Sequence, residues 1–394
     1  MKRSIKIAVA AAIALSSTSA FATNGDHLIG MGAKARGMGG IGIGMSHGAE
    51  SALSNPALIS SVKGTEVSFG GTIFMPDVES DVSMGQGSIK SDADLSIIPE
   101  VAIAQNLGNG VTWGIGMYGT AGMGTDYRDE ATTAGNYNMV TNLQLMQFAV
   151  PFAYKSNGVS VGIAPVLQYG SLDINYNNGT EHGAGVAQDF GMGYNVGAAY
   201  EMGGLTVGAS YKSSIEMKYD KVLTTAATPF GLTYITDDLE QPAEIGLGAS
   251  FTEQGHTVAV DYKRIKWSDA KGYKDFGWDD QDVIMLGYQF AQDNWALRAG
   301  FNHSSSPIKE NAGGTTTPQK MATNVLNLLG FPAIVEDHYT IGGSYAFTKM
   351  TSVDLAYAYS PEAKEHFNAG GGAGYDITTK HSQDALTMQL NFNF

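Results

Sequence analysis

Cysteine is absent from the 394 residues, which excludes a disulfide scaffold, a zinc–cysteine site and thiol chemistry. Charge is scarce as well: 15% of the residues carry it, where soluble domains reach about 25%. Basic residues are the scarcer kind, 23 Lys and Arg against 38 Asp and Glu, for a formal charge of −15. A nucleic-acid partner is thereby excluded, because phosphate neutralisation needs clustered Lys and Arg. Beyond the N-terminus no stretch reaches the roughly 18 consecutive apolar residues of a membrane helix. Glycine fills the space that charge leaves, at 51 residues. With Ser, Thr and Asn it holds the mean hydropathy near zero, at −0.09.

The first 22 residues read as a processing signal. Lys2, Arg3 and Lys6 make a positive start, Ile7 to Leu15 a short apolar core, and Ala20-Phe21-Ala22 an A-x-A cleavage site, so the mature chain is expected to begin at Thr23. An exported chain without an apolar helix is either secreted and soluble or crosses a membrane by other means.

Periodicity separates these two. From residue 65 onward the pattern repeats in twos. In Leu205-Thr206-Val207-Gly208-Ala209-Ser210-Tyr211-Lys212 the odd positions are apolar and the even ones small or polar. Ile245, Leu247, Ala249 and Phe251 oppose Glu244, Gly246, Gly248 and Ser250, and Trp295, Leu297, Ala299 and Phe301 oppose Arg298, Gly300 and Asn302. The last segment sets Leu386, Met388, Leu390, Phe392 and Phe394 against Thr387, Gln389, Asn391 and Asn393. A soluble sandwich also alternates. Here, however, the apolar face ends repeatedly in Tyr, Phe or Trp, as an aromatic girdle requires, and the other face suits a lumen.

The connections also alternate in length. Short ones fall at Gly108-Asn109-Gly110, Ser156-Asn157-Gly158, Gly203-Gly204, Glu253-Gln254-Gly255, Gln292-Asp293-Asn294 and Thr348-Lys349. Long ones fall at Val78–Asp94, Gly119–Asn136, Asn177–Phe190, Asp220–Leu239, Trp267–Gln281, Ser304–Asp337 and Pro361–Lys380. Short turns at one rim and long loops at the other are the bacterial outer-membrane pattern. A closed barrel satisfies every backbone donor and acceptor without water, which an open sheet in lipid cannot do. The expected fold class is all-β: a transmembrane antiparallel barrel of 14 strands over residues 65–394.

Residues 23–64 do not alternate. Leu28, Ile29, Met31, Ile41, Ile43, Leu53, Leu58 and Ile59 would be poorly placed in water, so the segment is expected to fold into the lumen as a plug rather than trail as a leader.

Here the sequence resembles a known family. The run Gly32-Ala33-Lys34-Ala35-Arg36-Gly37-Met38-Gly39-Gly40, then Asn55-Pro56-Ala57, then strands ending in a terminal Phe, is similar to the FadL/TodX family of outer-membrane transporters for hydrophobic compounds. Asp293-Asn294-Trp295 with Arg298-Ala299-Gly300-Phe301, Ser306-Pro307, Tyr345-Ala346-Phe347 with Ser352-Val353-Asp354, and Asn391-Phe392-Asn393-Phe394 continue the likeness in order. The resemblance implies a barrel plugged by an N-terminal hatch, capture on apolar extracellular loops, an interior pocket, and exit sideways through the wall near a kinked third strand. That strand is Val111 to Tyr118, followed by Gly119, Gly122 and Gly124, where a missing side chain makes a kink or gap cheap.

Two apolar loop stretches are candidates for capture: Phe230 and Leu232 with their neighbours, and Val325, Leu326, Leu329 and Phe331. Folding down to close the pore is the other reading of the same residues. The pocket is expected from Leu28, Ile29, Met31, Met38, Phe74 and Met285 with the Asn55-Pro56-Ala57 turn, although ordinary hatch packing explains any one of them. A basic pair for a carboxylate is not evident; Lys263, Arg264, Lys266 and Arg298 are the candidates.

Other motifs lead nowhere. Gly158-Val159-Ser160-Val161-Gly162 opens an alternating strand rather than a strand–helix elbow, and no strand precedes Gly37-Met38-Gly39-Gly40-Ile41-Gly42. No enzyme, cofactor or metal is expected. The expected partners are a long-chain fatty acid or another hydrophobic small molecule, and outer-membrane lipid and lipopolysaccharide around a monomeric wall. Transport of aromatic or alkane hydrocarbons, a general porin and a surface adhesion barrel are the alternatives.

Overall fold

The computed structural model describes residues 23–82, 87–128, 135–311, 317–368 and 376–394, so the expected processing signal lies outside the described residues. Fourteen antiparallel strands form the wall. They are β1 (Thr65–Val82), β2 (Ser96–Gly108), β3 (Val111–Met123), β4 (Val140–Ala149, resuming at Phe152–Ser156 after Pro151), β5 (Val159–Asn177), β6 (Ala187–Met202) and β7 (Leu205–Lys212). Then follow β8 (Glu244–Glu253), β9 (His256–Ile265), β10 (Gln281–Gln292), β11 (Trp295–Ser304), β12 (Asp337–Ala346), β13 (Thr351–Asn368) and β14 (Asp376–Asn393). β14 pairs with β1 from Ile377↔Val82 to Asn393↔Glu66, which closes the cylinder.

The alternation places side chains as the period of two demands. Leu297 is 59% exposed on the lipid side, and Arg298 beside it is 9% exposed on the inside. The tight turns carry the backbone twist of their strands: Asn109 and Gly110 both have positive φ, 52° and 82°, and Asn157 with Gly158 repeats the pair.

Several strands run further than their periodicity suggested. β13 continues to Asn368 through a register shift between Ser360 and Ala363, so Pro361 sits at an irregularity instead of ending the strand. β1 likewise continues to Val82. Both extensions reach beyond the apolar band, where polar residues on either face remove the alternating signal.

Residues 23–64 lie inside the wall. A short helix α1 (Gly32–Arg36) and two 3-10 turns, Gly48–Ala52 and Pro56–Ser61, give them their shape, and Leu28, Ile29, Met38, Ile41, Leu53 and Ile59 are buried. Their backbone meets the wall where the wall has no side chain. Gly162↔Gly197, Gly208↔Gly248 and Gly287↔Gly300 are cross-strand glycine pairs. A Cβ on Gly162 would strike Ala57 and Pro56, one on Gly208 the Ile43 carbonyl, and one on Gly300 the backbone of Met38 and Gly39. The surplus of glycine is thus in part a set of seats for the inner segment.

Polar wall groups finish the fastening. Asp261 accepts the Gly42 and Ile43 amides at 2.7 Å through Oδ2 and the Gly44 amide at 3.0 Å through Oδ1. Asn302 Nδ2 donates to the Gly39 carbonyl at 3.1 Å, and Thr340 Oγ1 accepts from the Gly39 amide at 2.8 Å. Arg36 pairs with Glu100 and bonds to the Thr72 hydroxyl, fixing α1 to β1 and β2.

At the other end, helix α2 (Pro318–Val325) leads into a π-helical turn, Leu326–Gly330, that descends into the mouth. Its freed carbonyls meet wall hydroxyls: Thr125 Oγ1 donates to Leu329 O at 2.8 Å, Thr141 Oγ1 to Gly330 O at 2.5 Å, and Thr379 Oγ1 to Leu328 O at 3.0 Å.

Candidate functional site: a pocket between the inner segment and the wall

Two small cavities, each of about 30 Å³, lie between the inner segment and the wall, the first against β7 to β10 and the second reaching β3, β4 and β6 to β9. The first is apolar over most of its lining, which includes Leu28, Ile29, Met31, Ile43 and Met285. The second is mixed: Leu28, Met31, Ile215 and Pro242 share its walls with Thr120, Gln147, Asn195, Ser213 and Gln241. Leu28, Met31, Lys212, Glu244 and Lys263 border both lobes.

Those three ionisable side chains form the electrostatic centre. Glu244 lies 3.2 Å from Lys212 Nζ and 3.4 Å from Lys263 Nζ, with the His27 ring 3.2 Å away. The three charged groups come from β7, β8 and β9, whose inward registers stack them side by side: Lys212↔Glu244 is a pairing row, and Glu244 faces Ile265, two residues beyond Lys263. Two cations share one carboxylate, so the site keeps a cationic excess while every charge has a partner.

His27 belongs to the inner segment, and its ring is gripped. Its Nε2 lies 2.7 Å from Gln241 Oε1, and the Trp267 ring centroid is 5.1 Å away. Trp267, Tyr273 and Trp278 pack on one another at 4.6 to 4.9 Å. The Tyr273 hydroxyl and Gln241 Nε2 both donate to Asp26. Burial pushes the Asp26 carboxyl up, against the lowering pull of His27 and of those two donors.

The second lobe ends at an irregularity in the wall, at Thr120. Gly119↔Met146 and Ala121↔Leu145 leave Thr120 as an extra residue in β3. On the other side of β3 the ladder with β2 ends at Glu100↔Tyr118, while Ser96 to Pro99 pair only with β1. The β3 edge above Tyr118 is covered from within: His27 pairs with Ala121, and the Gly122 amide donates to the Asp26 carbonyl at 3.0 Å. An opening in the ladder, an inner segment capping it and a charged pocket therefore meet at one place.

The sequence matches the family model described as outer membrane protein transport protein (OMPP1/FadL/TodX) over residues 7–394. The chain belongs to the OMPP1/FadL/TodX family. It is similar to the 47 kDa outer membrane protein of Pasteurella multocida, 22% identical with 90% of this chain and 92% of that protein covered. Its fold is similar to that of the Pseudomonas putida toluene transporter TodX, with a TM-score of 0.69, 19% identity, and 93% of this chain and 99% of that one covered. A Pseudomonas aeruginosa FadL homologue matches equally, with a TM-score of 0.69 and 15% identity over 94% of this chain and 100% of that one. The protein is an outer-membrane barrel of a family that transports hydrophobic compounds.

Within this FadL/TodX barrel the expected site residues fall into three groups. Leu28, Ile29, Met31 and Met285 line the apolar lobe, whereas Met38 packs on the wall glycines and Phe74 is buried away from both lobes. Asn55 fixes backbone: Oδ1 accepts from the Ala57 amide at 3.2 Å, and Nδ2 donates to Ile43 O at 2.9 Å and to Ala198 O at 3.3 Å. Pro56 and Ala57 form the turn it caps and rest on Gly162.

The loop residues face inward. Leu232, Val325, Leu326 and Leu329 are buried, and Phe230 and Phe331 are half-buried. Burying such a side chain gains about 1.5–3 kcal/mol, so the loops turn their apolar faces onto the mouth. Gly119 flanks the bulge, Gly122 supplies the amide that holds Asp26, and Gly124 abuts the Thr141 backbone at the top of β3.

Of the basic candidates, Lys263 enters the pocket. Arg264 and Lys266 bind Asp280 at the rim, and Arg298 lies inside against Gln289 and Ser344. Lys212 is the residue that sequence reasoning passed over. It closes the alternating run of β7 on the even, inward side, and that parity was the available signal.

Proposed function

We propose that this protein takes up amphiphilic hydrophobic molecules across the outer membrane, long-chain fatty acids first among them. The carrying observation is the Lys212–Glu244–Lys263 group at the border of an apolar lobe. Apolar surface on Leu28, Ile29, Met31 and Met285 rewards an alkyl chain at about 25 cal/mol per Å² removed from water. A fatty-acid carboxylate competes with Glu244 for two ammonium groups, forming charge-assisted hydrogen bonds of the stronger kind. Capture begins where the apolar loop residues cover the mouth. The segment 23–64 serves as the hatch, and the ligand leaves sideways where β2 and β3 part. With each lobe near 30 Å³, the described form is closed, and loading requires the hatch or the loop cover to shift.

A small aromatic hydrocarbon is the second reading. It is favoured by the likeness in fold to a toluene transporter and by the small volume of the lobes. The two readings separate in one experiment: uptake of labelled oleate and of labelled toluene by cells carrying the wild type or Lys212→Met with Lys263→Met. Loss of oleate uptake by about tenfold or more, with toluene unaffected, supports the acid. Toluene uptake with no oleate uptake in the wild type overturns it.

A further inference from the structure

The second lobe lies between the lysines and the wall opening, and one side of it gathers the polar groups of Thr120, Gln147, Asn195 and Ser213. Lys212 and Lys263 border both lobes, so a carboxylate can turn from the first lobe into the second without leaving them. On the far side stands Thr120, the extra residue of the β3 bulge, whose hydroxyl is buried and has no hydrogen-bond partner. A buried polar group without a partner needs an explanation, and an ionised carboxylate, acceptor-only with two oxygens, supplies one.

The neighbours are chosen alike. The Ser213 hydroxyl accepts from the Tyr194 amide at 2.9 Å, which leaves its own hydrogen to give. Gln147 and Asn195 each spend one amide hydrogen, on Gln168 Oε1 at 2.8 Å and on Leu53 O at 3.3 Å, and an amide nitrogen carries two. An alkyl chain laid on this side of the lobe would strip water from these groups and offer them no hydrogen bond.

We propose that the lobe formed by Thr120, Gln147, Asn195 and Ser213 is a second head-group subsite, which takes the ligand carboxylate from the Lys212–Lys263 pair and presents it to the opening between β2 and β3. Ligands then leave through the wall polar end first. The proposal rests on the reading of the ligand as a carboxylate-bearing amphiphile.

Thr120→Val keeps the shape of the side chain and deletes the hydroxyl, and Thr120→Ser keeps the hydroxyl. Each variant is compared with the wild type for the rate of labelled oleate uptake and for equilibrium oleate binding in detergent. Expected is a drop in rate of about tenfold for Thr120→Val, the size of one lost hydrogen bond to a charged group. Thr120→Ser should stay within about twofold of the wild type, and binding should be unchanged in both, because the lysines remain. Equal rates for Thr120→Val and the wild type overturn the proposal, as do equal losses in the two variants. Absence of oleate binding in the wild type would instead remove the fatty-acid reading, and the subsite with it. A Thr120→Val protein that no longer shows heat-modifiable gel migration would assign the hydroxyl a structural role, and also overturns the proposal.

Discussion

Asp280 shows how single charges hold the outer loops in place. Partial burial raises its carboxyl, but Lys266 Nζ at 2.8 Å, the Ser268 hydroxyl and amide, and Arg264 outweigh that and keep it at about 2. A depressed carboxyl stabilises the fold above its unfolded value near 3.8 and loses that contribution as pH falls towards 2. The loop bearing Trp267 and Trp278 should therefore loosen between pH 4 and pH 2, seen as a change in tryptophan emission, and Asp280→Asn should flatten that transition. Deeper in, Glu100 holds the buried Arg36 guanidinium. Glu100→Ala leaves that charge alone, and a loss of about 3–5 kcal/mol is expected on urea unfolding. The sequence did not announce this pair: 64 positions separate the partners, and the run that holds Arg36 does not point to Glu100. Lys212 was legible by parity alone, whereas the meeting of Lys263 with it depends on a register that no single strand contains.

Among the elements, the strands were the most legible part. Lipid on one side and the lumen on the other enforce a strict alternation, so Leu247 and Ser250 declare their faces. Legibility stops where lipid stops, which is why β1 and β13 outrun their apparent ends. The role of the glycines was hidden for a different reason: a small residue facing the lumen looks the same whether it borders water or another backbone. Gly300→Val tests the second case, since its Cβ would meet the backbone of Met38 and Gly39. The barrel should still form and migrate as a heat-modifiable band, while the segment 23–64 becomes open to proteinase K at least about tenfold faster. The loop apolar clusters were visible as clusters, but the inward turn of the one at Leu326–Gly330 is held by the hydroxyls of Thr125, Thr141 and Thr379, far away in the chain.

For the molecule as a whole, the inner segment and the loop cover close the lumen from within and from above. Deleting residues Thr23–Lys63 from the mature chain should therefore turn a silent protein into one that passes ions in a planar bilayer, and should change oleate uptake; persistence of both properties would remove the hatch mechanism. The barrel class, its fourteen strands and an apolar inner segment were readable because lipid, backbone satisfaction and exposed hydrophobes impose them. The pocket was readable only as a list of hatch residues, since its electrostatic half belongs to the wall. The cross-strand glycine pairs carry one more consequence. Backbone rests on backbone at Gly162↔Gly197, Gly208↔Gly248 and Gly287↔Gly300, so the side chains around the lobes are relieved of anchoring duty. Exchanging Ile29, Met31 or Met285 alters what the cavity welcomes without unseating the insert, and such a scaffold lends itself to being retooled for new cargo by a handful of substitutions.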